Sequence, residues 1–213
     1  KMGLFKDKAY KWGYFPNFKE HSIESLLAQK PKNRILWCGR FIWWKHPEYA
    51  LHIASRLKNE GYDFSIDIVG TGSMEEELKR EAEKKGLEEC VNFIGAMKPE
   101  QVREQMEKAS IFMFTSNFEE GWGAVLNEAM NSGCAVVASH AAGSVPYLLE
   151  DNANGLIFEN GNVDDLYNKI KFLLDNPEEQ KTLGAKANNR NISIQTNQKF
   201  IFFCSIFYLT FLF

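Results

Sequence analysis

Two glutamates, Glu120 and Glu128, stand on either side of the turn Gly121-Trp122-Gly123 and the small, apolar stretch that opens at Ala124. The turn leads into a helix, whose free amides and positive dipole end favour anions or sugar oxygens, and Glu120 sits at that entrance. Glu128 falls on the helix itself, among Val125, Leu126, Ala129 and Met130, so it is expected to be partly buried and to need a partner. The spacing alone is uninformative, because Glu75 and Glu83, and Glu81 and Glu89, repeat it on a charged helix face. The setting distinguishes Glu120 and Glu128: a strand before, a glycine turn between and an apolar run after.

Three further loops hold glycine and polar residues. Gly39-Arg40-Phe41-Ile42-Trp43-Trp44-Lys45 places two cations in a loop opening onto a helix, and Gly39 permits close backbone approach. Arg40 and Lys45 could face an anion there or stand as solvated surface charges. Gly70-Thr71-Gly72-Ser73 begins like a dinucleotide fingerprint, but Glu75 occupies the third glycine position, which disfavours a nicotinamide-dependent reductase. Gly95-Ala96-Met97 offers backbone groups and small side chains, either a plain turn or a surface for a flat base.

The elements that must hold these loops alternate. Short apolar runs at Arg34–Cys38, Phe64–Val69, Val91–Ile94, Ile111–Phe114, Ala135–Ala138 and Gly155–Phe158 predict strands buried on both faces. Helical patterns fall at Pro47–Asn59, Glu75–Lys85, Glu100–Lys108, Ala124–Asn131, Val145–Glu150, Val163–Leu174 and Pro177–Ala187. Ser73 with Glu76 reads as a capping box, and Pro99 suits a first helical turn. The alternation predicts an α/β, Rossmann-like, mostly parallel sheet with helices on both faces, whose ligands sit in the loops after the strands. Residues 33–187 form that domain. Residues 1–32, with Tyr10, Trp12, Tyr14, Phe15 and Pro16, read as a linker or the remnant of a preceding domain, with a short helical piece at Ser22–Ala28.

The chain has 213 residues and a formal net charge of -3, which argues against a general nucleic-acid binder. Cys38, Cys90, Cys134 and Cys204 form no paired motif, and His21, His46, His52 and His140 add no ligand spacing, so no metal site is expected. Cys38 and Cys134 read as small core residues. Phe200, Phe202, Phe203, Phe207, Phe211 and Phe213 crowd residues 188–213 into an atypical hydrophobic tail, too short in its apolar part to span a bilayer.

Glu120 through Met130, followed by Ser132-Gly133-Cys134-Ala135-Val136-Val137-Ala138, resembles the E-x7-E segment of the group 1 retaining glycosyltransferases of the GT-B fold (family GT4). Gly39-Arg40 through Lys45 resembles their glycine–arginine–lysine loop, and Gly143 with Pro146 their glycine–proline turn, although Tyr147 stands where many members carry Glu. The resemblance covers Ile35 to Ala187 and implies the nucleotide-sugar donor domain, the C-terminal half of such an enzyme. It implies that Arg40 and Lys45 neutralise the diphosphate leaving group without a metal or other cofactor. Glu120, with the amides of Gly121, Trp122, Gly123 and Ala124, would hold the donor sugar. Glu128 would accept from the ribose hydroxyls, Gly95, Ala96 and Met97 would lie against the base, and Gly39 and Gly72 near the phosphates or ribose. It further implies an N-terminal acceptor domain as partner, a cytoplasmic location, and contact with the inner face of the membrane through a lipid or glycan acceptor. A non-catalytic nucleotide-sugar binding module would use the same residues.

Overall fold

The six apolar runs become β1 (Arg34–Cys38), β2 (Ser65–Val69), β3 (Val91–Gly95), β4 (Ile111–Phe114), β5 (Ala135–Ser139) and β6 (Leu156–Phe158). They form one parallel sheet in the order β3-β2-β1-β4-β5-β6. The structure, a computed structural model, describes residues 22–210, with side chains described through Ile194. The helices are α1 (Ile23–Gln29), α2 (Glu48–Asn59), α3 (Glu75–Lys84), α4 (Pro99–Lys108), α5 (Val125–Asn131), α6 (Val145–Leu148), α7 (Val163–Asp175) and α8 (Pro177–Thr210).

Successive strand residues point to opposite faces, so each strand feeds two cores. Ile35, Trp37, Ile66, Ile68, Ile111, Met113 and Val137 pack with buried residues of α2, α3 and α7. Leu36, Phe112, Phe114, Val136 and Ala138 pack with Met106 of α4, Leu126 and Met130 of α5, Leu148 of α6 and Ala187 of α8. This double burial is why the strands carry near-continuous apolar runs. Asp67 is the buried carboxylate of β2, and it is satisfied by Arg34 Nε at 2.6 Å and Asn92 Nδ2 at 2.9 Å. It is structural.

Three expectations change. The capping box at Ser73 is not formed: Met74 caps α3, and Ser73 Oγ instead lies 3.5 Å from the Phe41 carbonyl. The last helix does not stop at Ala187 but continues through Thr210, with Asn188, Asn191 and Ile194 buried against the domain. The packed unit therefore extends past residue 187. It also begins before residue 33, because Lys30 places its ammonium on the carbonyls of Met106 (2.9 Å), Glu107 (3.0 Å) and Ala109 (2.5 Å), saturating the end of α4. The aromatics at 10–15 and the last phenylalanines, Phe211 and Phe213, lie outside the described residues. No helix among the described residues is long and apolar enough to cross a membrane.

Candidate functional site

The sheet order places β1 beside β4, and β1 is followed by α2 on one face whereas β4 is followed by α5 on the other. Their exit loops diverge at this switch point, where open α/β sheets receive ligands. Both loops carry predicted site residues.

The loops are fastened together from below. Trp37 on β1 donates from its indole nitrogen to Thr115 Oγ1 at 2.8 Å, and that hydroxyl donates to the Lys45 carbonyl at 2.5 Å. The Asn117 amide donates to the Trp44 carbonyl at 2.9 Å. A single 3₁₀ turn over Trp43–Lys45 ends at His46, which is left-handed (φ 50°) and bonded through Nδ1 to Glu48 at 2.8 Å. Fixed in this way, the Lys45 ammonium reaches Glu120 in a direct ion pair. The two side chains are only 15% and 14% exposed, and Ser116 Oγ stands 3.2 Å from the same carboxylate oxygen. The Glu120 carbonyl in turn accepts from the Gly143 amide at 2.9 Å, where a methyl group would come within 2.1 Å of the Gly121 carbonyl oxygen. The glycine–proline turn is thus the seat of the Glu120 loop.

Arg40 belongs to the same loop but points to solvent, with its guanidinium 5.8 Å from the Trp44 ring centre. The structure thus brings Lys45 and Glu120 into contact and leaves Arg40 beside them, in no ion pair among the described residues.

The β2 loop is pinned to the β1 loop by Phe41, whose amide donates to Thr71 and whose carbonyl accepts from Met74. Gly39 and Gly72 line this seam. Gly70 has φ 137°, and a Cβ there would lie 1.8 Å from the Gly39 carbonyl oxygen. Gly70→Ala is therefore expected to cost about 2–4 kcal/mol, as strain and a backbone clash combined. Urea unfolding should show the loss. Gly95 continues the row, accepting from the Gly70 amide at 2.9 Å, followed by exposed Ala96 and half-buried Met97.

Gly121, Trp122 and Gly123 form the turn before α5, which starts at Val125 with Ala124 as its cap. Trp122 is half-buried and turned into the domain: its indole donates to Asn127 Oδ1 at 2.9 Å, and its ring centre is 5.7 Å from that of Tyr147. Glu128 is half-buried on α5, as expected. Burial pushes its pKa above the ordinary carboxyl value, and the charge of Arg103 opposes that rise. At the end of β1, burial and the Glu128 charge push the Cys38 thiol up to about 12, so it stays protonated and behaves as a small apolar residue.

Several contributors are invisible to motif reading. Thr115 and Ser116 end a strand as ordinary small polar residues. Arg103 lies in a charged helix that reads as a solvated face. Asn127 and Asn131 of α5 meet Asn191 and Asn188 of α8 in buried hydrogen bonds of 2.7–3.2 Å. The helical spacing within each pair was the available signal.

A parallel sheet in this order, with charged and glycine-rich loops at its switch point, defines a Rossmann-like α/β domain. Residues 18–190 match the family described as Glycosyl transferases group 1, and the chain belongs to it. An uncharacterized glycosyltransferase of Haemophilus influenzae is 32% identical over 155 residues, covering 73% of this chain and 43% of that protein. The amylovoran biosynthesis glycosyltransferase AmsK of Erwinia amylovora is 32% identical over 138 residues, covering 62% and 34%. This chain thus spans less than half the length of either relative. Among solved structures, S. aureus TarM in complex with Fondaparinux, alpha-GlcNAc-glycerol and UDP superposes with a TM-score of 0.73 at 25% identity, covering 84% of this chain and 34% of that one. The C-terminal domain of a group 1 glycosyl transferase (LpcC) from Francisella tularensis shares the fold, with a TM-score of 0.67 at 18% identity, covering 83% of this chain and 94% of that domain.

Proposed function

We propose that this chain is the donor-binding half of a retaining glycosyltransferase of family GT4 that uses a nucleoside-diphosphate sugar. The observation that carries the reading is the Lys45–Glu120 pair, held at the switch point between β1 and β4 with Glu128 on the helix that follows. In this reading Lys45 and Arg40 face the diphosphate and stabilise the charge that develops as the sugar's anomeric carbon leaves its phosphate oxygen, a role that needs no metal. Glu120 and the turn from Gly121 to Ala124 orient the sugar hydroxyls. Glu128 accepts two hydrogen bonds from the ribose, which suits a carboxylate with two acceptor oxygens. Gly39, Gly72 and Gly95 to Met97 let phosphate, ribose and base approach the backbone. The acceptor, a lipid or glycan presented at the inner face of the membrane, would be held by an N-terminal domain.

UDP is the first nucleotide to test, because TarM was solved with it. A thermal-shift panel of UDP-, GDP- and ADP-sugars on this chain is expected to single out one base. At a ligand concentration about 100 times Kd the stabilisation is about 2.7 kcal/mol, several degrees in Tm. No sugar transfer is expected from the chain alone. A flat response to every nucleotide would reject the donor-site assignment, and transfer by this chain alone would reject the half-enzyme reading.

A further inference from the structure

Gly121 and Gly123 flank Trp122, and Gly123 is left-handed (φ 74°), so the backbone of this turn has wide freedom and something else must select its arrangement. Trp122 does so from inside the domain. Its ring centre lies 5.7 Å from that of Tyr147, and its indole nitrogen donates to Asn127 Oδ1 at 2.9 Å. Asn127 Nδ2 donates in turn to Asn191 Oδ1 on α8 at 3.2 Å, and Asn191 Nδ2 donates back to the Asn127 carbonyl at 3.1 Å. Both asparagines are fully buried. The bonds have one possible order. An indole N–H can only donate and a backbone carbonyl can only accept, so the orientation of both side-chain amides is dictated from the two ends. Turning either amide over would leave buried polar atoms unpaired.

We infer that Asn191 is a positioning residue of the donor site, which acts through Asn127 to hold Trp122 and with it the turn from Gly121 to Ala124 that orients the sugar. The inference rests on the donor-site reading above. Asn191 lies behind the turn, with no exposed surface through which to meet a ligand. The two ends of the turn are fastened separately. The Glu120 carbonyl accepts from the Gly143 amide at 2.9 Å, and the Gly123 carbonyl accepts from the Leu126 amide at 3.0 Å. The path between them follows the depth at which the indole is held. A second asparagine pair, one helical turn away on both helices, provides the contrast. Asn188 Nδ2 donates to the Asn131 carbonyl at 2.7 Å and clamps the far end of α5, away from the glycine turn. Nucleotide and sugar separate the two pairs, because Glu128 and the other glycine loops serve the nucleotide whereas this turn serves the sugar.

The test measures by calorimetry the affinities of UDP and UDP-glucose for the wild-type chain and its variants, and compares their ratio. GDP and GDP-glucose, or ADP and ADP-glucose, take their place if that base is the one bound. Asn191→Leu fills a similar space without either bond and frees the Asn127 amide to turn. It is expected to leave UDP within about twofold of wild type and to weaken UDP-glucose about fivefold, the size of one neutral hydrogen bond. Trp122→Phe keeps an aromatic ring and loses the indole donor, so it should shift the ratio similarly. The double variant should shift it no further, because both changes cut the same relay. Asn188→Leu should lower Tm and leave the ratio unchanged. An unchanged ratio in Asn191→Leu, an equal shift in Asn188→Leu, or losses that multiply in the double variant would each overturn the inference while leaving the donor site standing. If the wild-type chain bound none of UDP-, GDP- or ADP-glucose, the donor-site reading would fail first, and the inference with it. Asn191→Ala replaces Asn191→Leu if the latter does not fold. Failure of both to fold would mark Asn191 as structural and overturn the assignment.

Discussion

Glu128→Gln is expected to weaken nucleotide binding by about 10–100-fold while making the unliganded domain more stable. The two effects have one origin. In the free protein the Glu128 carboxylate is half-buried, and no hydrogen bond from the described residues reaches it. Burial therefore raises its pKa, with Arg103 compensating only in part. A carboxyl whose folded pKa lies above its unfolded value is a liability wherever it is ionised. The penalty is present above the folded pKa and is relieved as the pH falls towards the ordinary value of 4.5. An uncharged amide of the same shape removes the penalty at neutral pH, so unliganded Glu128→Gln should melt at a higher temperature than wild type. That gain should shrink as the pH falls, because the wild-type carboxyl then takes up a proton. The nucleotide reverses the balance, because hydrogen bonds to a charged acceptor contribute about 1.5–3 kcal/mol. Differential scanning calorimetry with and without UDP at pH 7.5 and pH 4.5 measures all of this. A lower Tm for unliganded Glu128→Gln at pH 7.5 would show that the carboxylate is satisfied in the free fold, and unchanged UDP affinity would remove it from the site.

The sequence carried the frame of this site better than its supports. β1 and β4 fall where the apolar runs predict, since a strand buried on both faces leaves little choice of residue. Lys45 and Glu120 stand out in the sequence because charge beside glycine at a strand exit is unusual, and Glu128 because it falls in an otherwise small and apolar helix. Their mutual geometry does not. Arg40 and Lys45 look equivalent along the chain, yet the 3₁₀ turn through Trp43–Lys45 sends one inward to Glu120 and leaves the other in solvent. Ser73 was misread because a capping motif is a local statement, whereas its hydroxyl lies against Phe41 in a neighbouring loop. The extent of α8 was missed for a similar reason. Asn188-Asn189-Arg190-Asn191 has poor helix propensity and no apolar period, and it is the buried pairing of Asn188 and Asn191 with α5 that makes the helix worth continuing. Tertiary partners decided each of these cases.

The Lys45–Glu120 pair yields the second large effect, and one whose sign depends on which partner is removed. In the free protein Glu120 occupies the ammonium that a diphosphate would need. Lys45→Ala takes away the inward cation of the site and strands a mostly buried carboxylate whose remaining partner among the described side chains is Ser116 at 3.2 Å. It should therefore cost about 1–3 kcal/mol of stability, together with about 100-fold in affinity for UDP and for UDP-sugar alike. Glu120→Gln does the opposite for the bare nucleotide. It frees Lys45 from its competitor while leaving an amide to accept one bond, so UDP should bind at least as tightly as to wild type. The sugar-bearing donor loses a charged acceptor for its hydroxyls, and its advantage over UDP should shrink by about tenfold. Titrating UDP and UDP-glucose into the two variants separates a pair that serves the ligand from one that merely closes the loop. A surface ion pair of no consequence would leave both affinities within about twofold. If instead Glu120→Gln weakened bare UDP as strongly as Lys45→Ala, Glu120 would be a scaffold for Lys45 and not a contact for the sugar. The two carboxylates of the E-x7-E segment would then divide differently, with Glu128 alone meeting the donor.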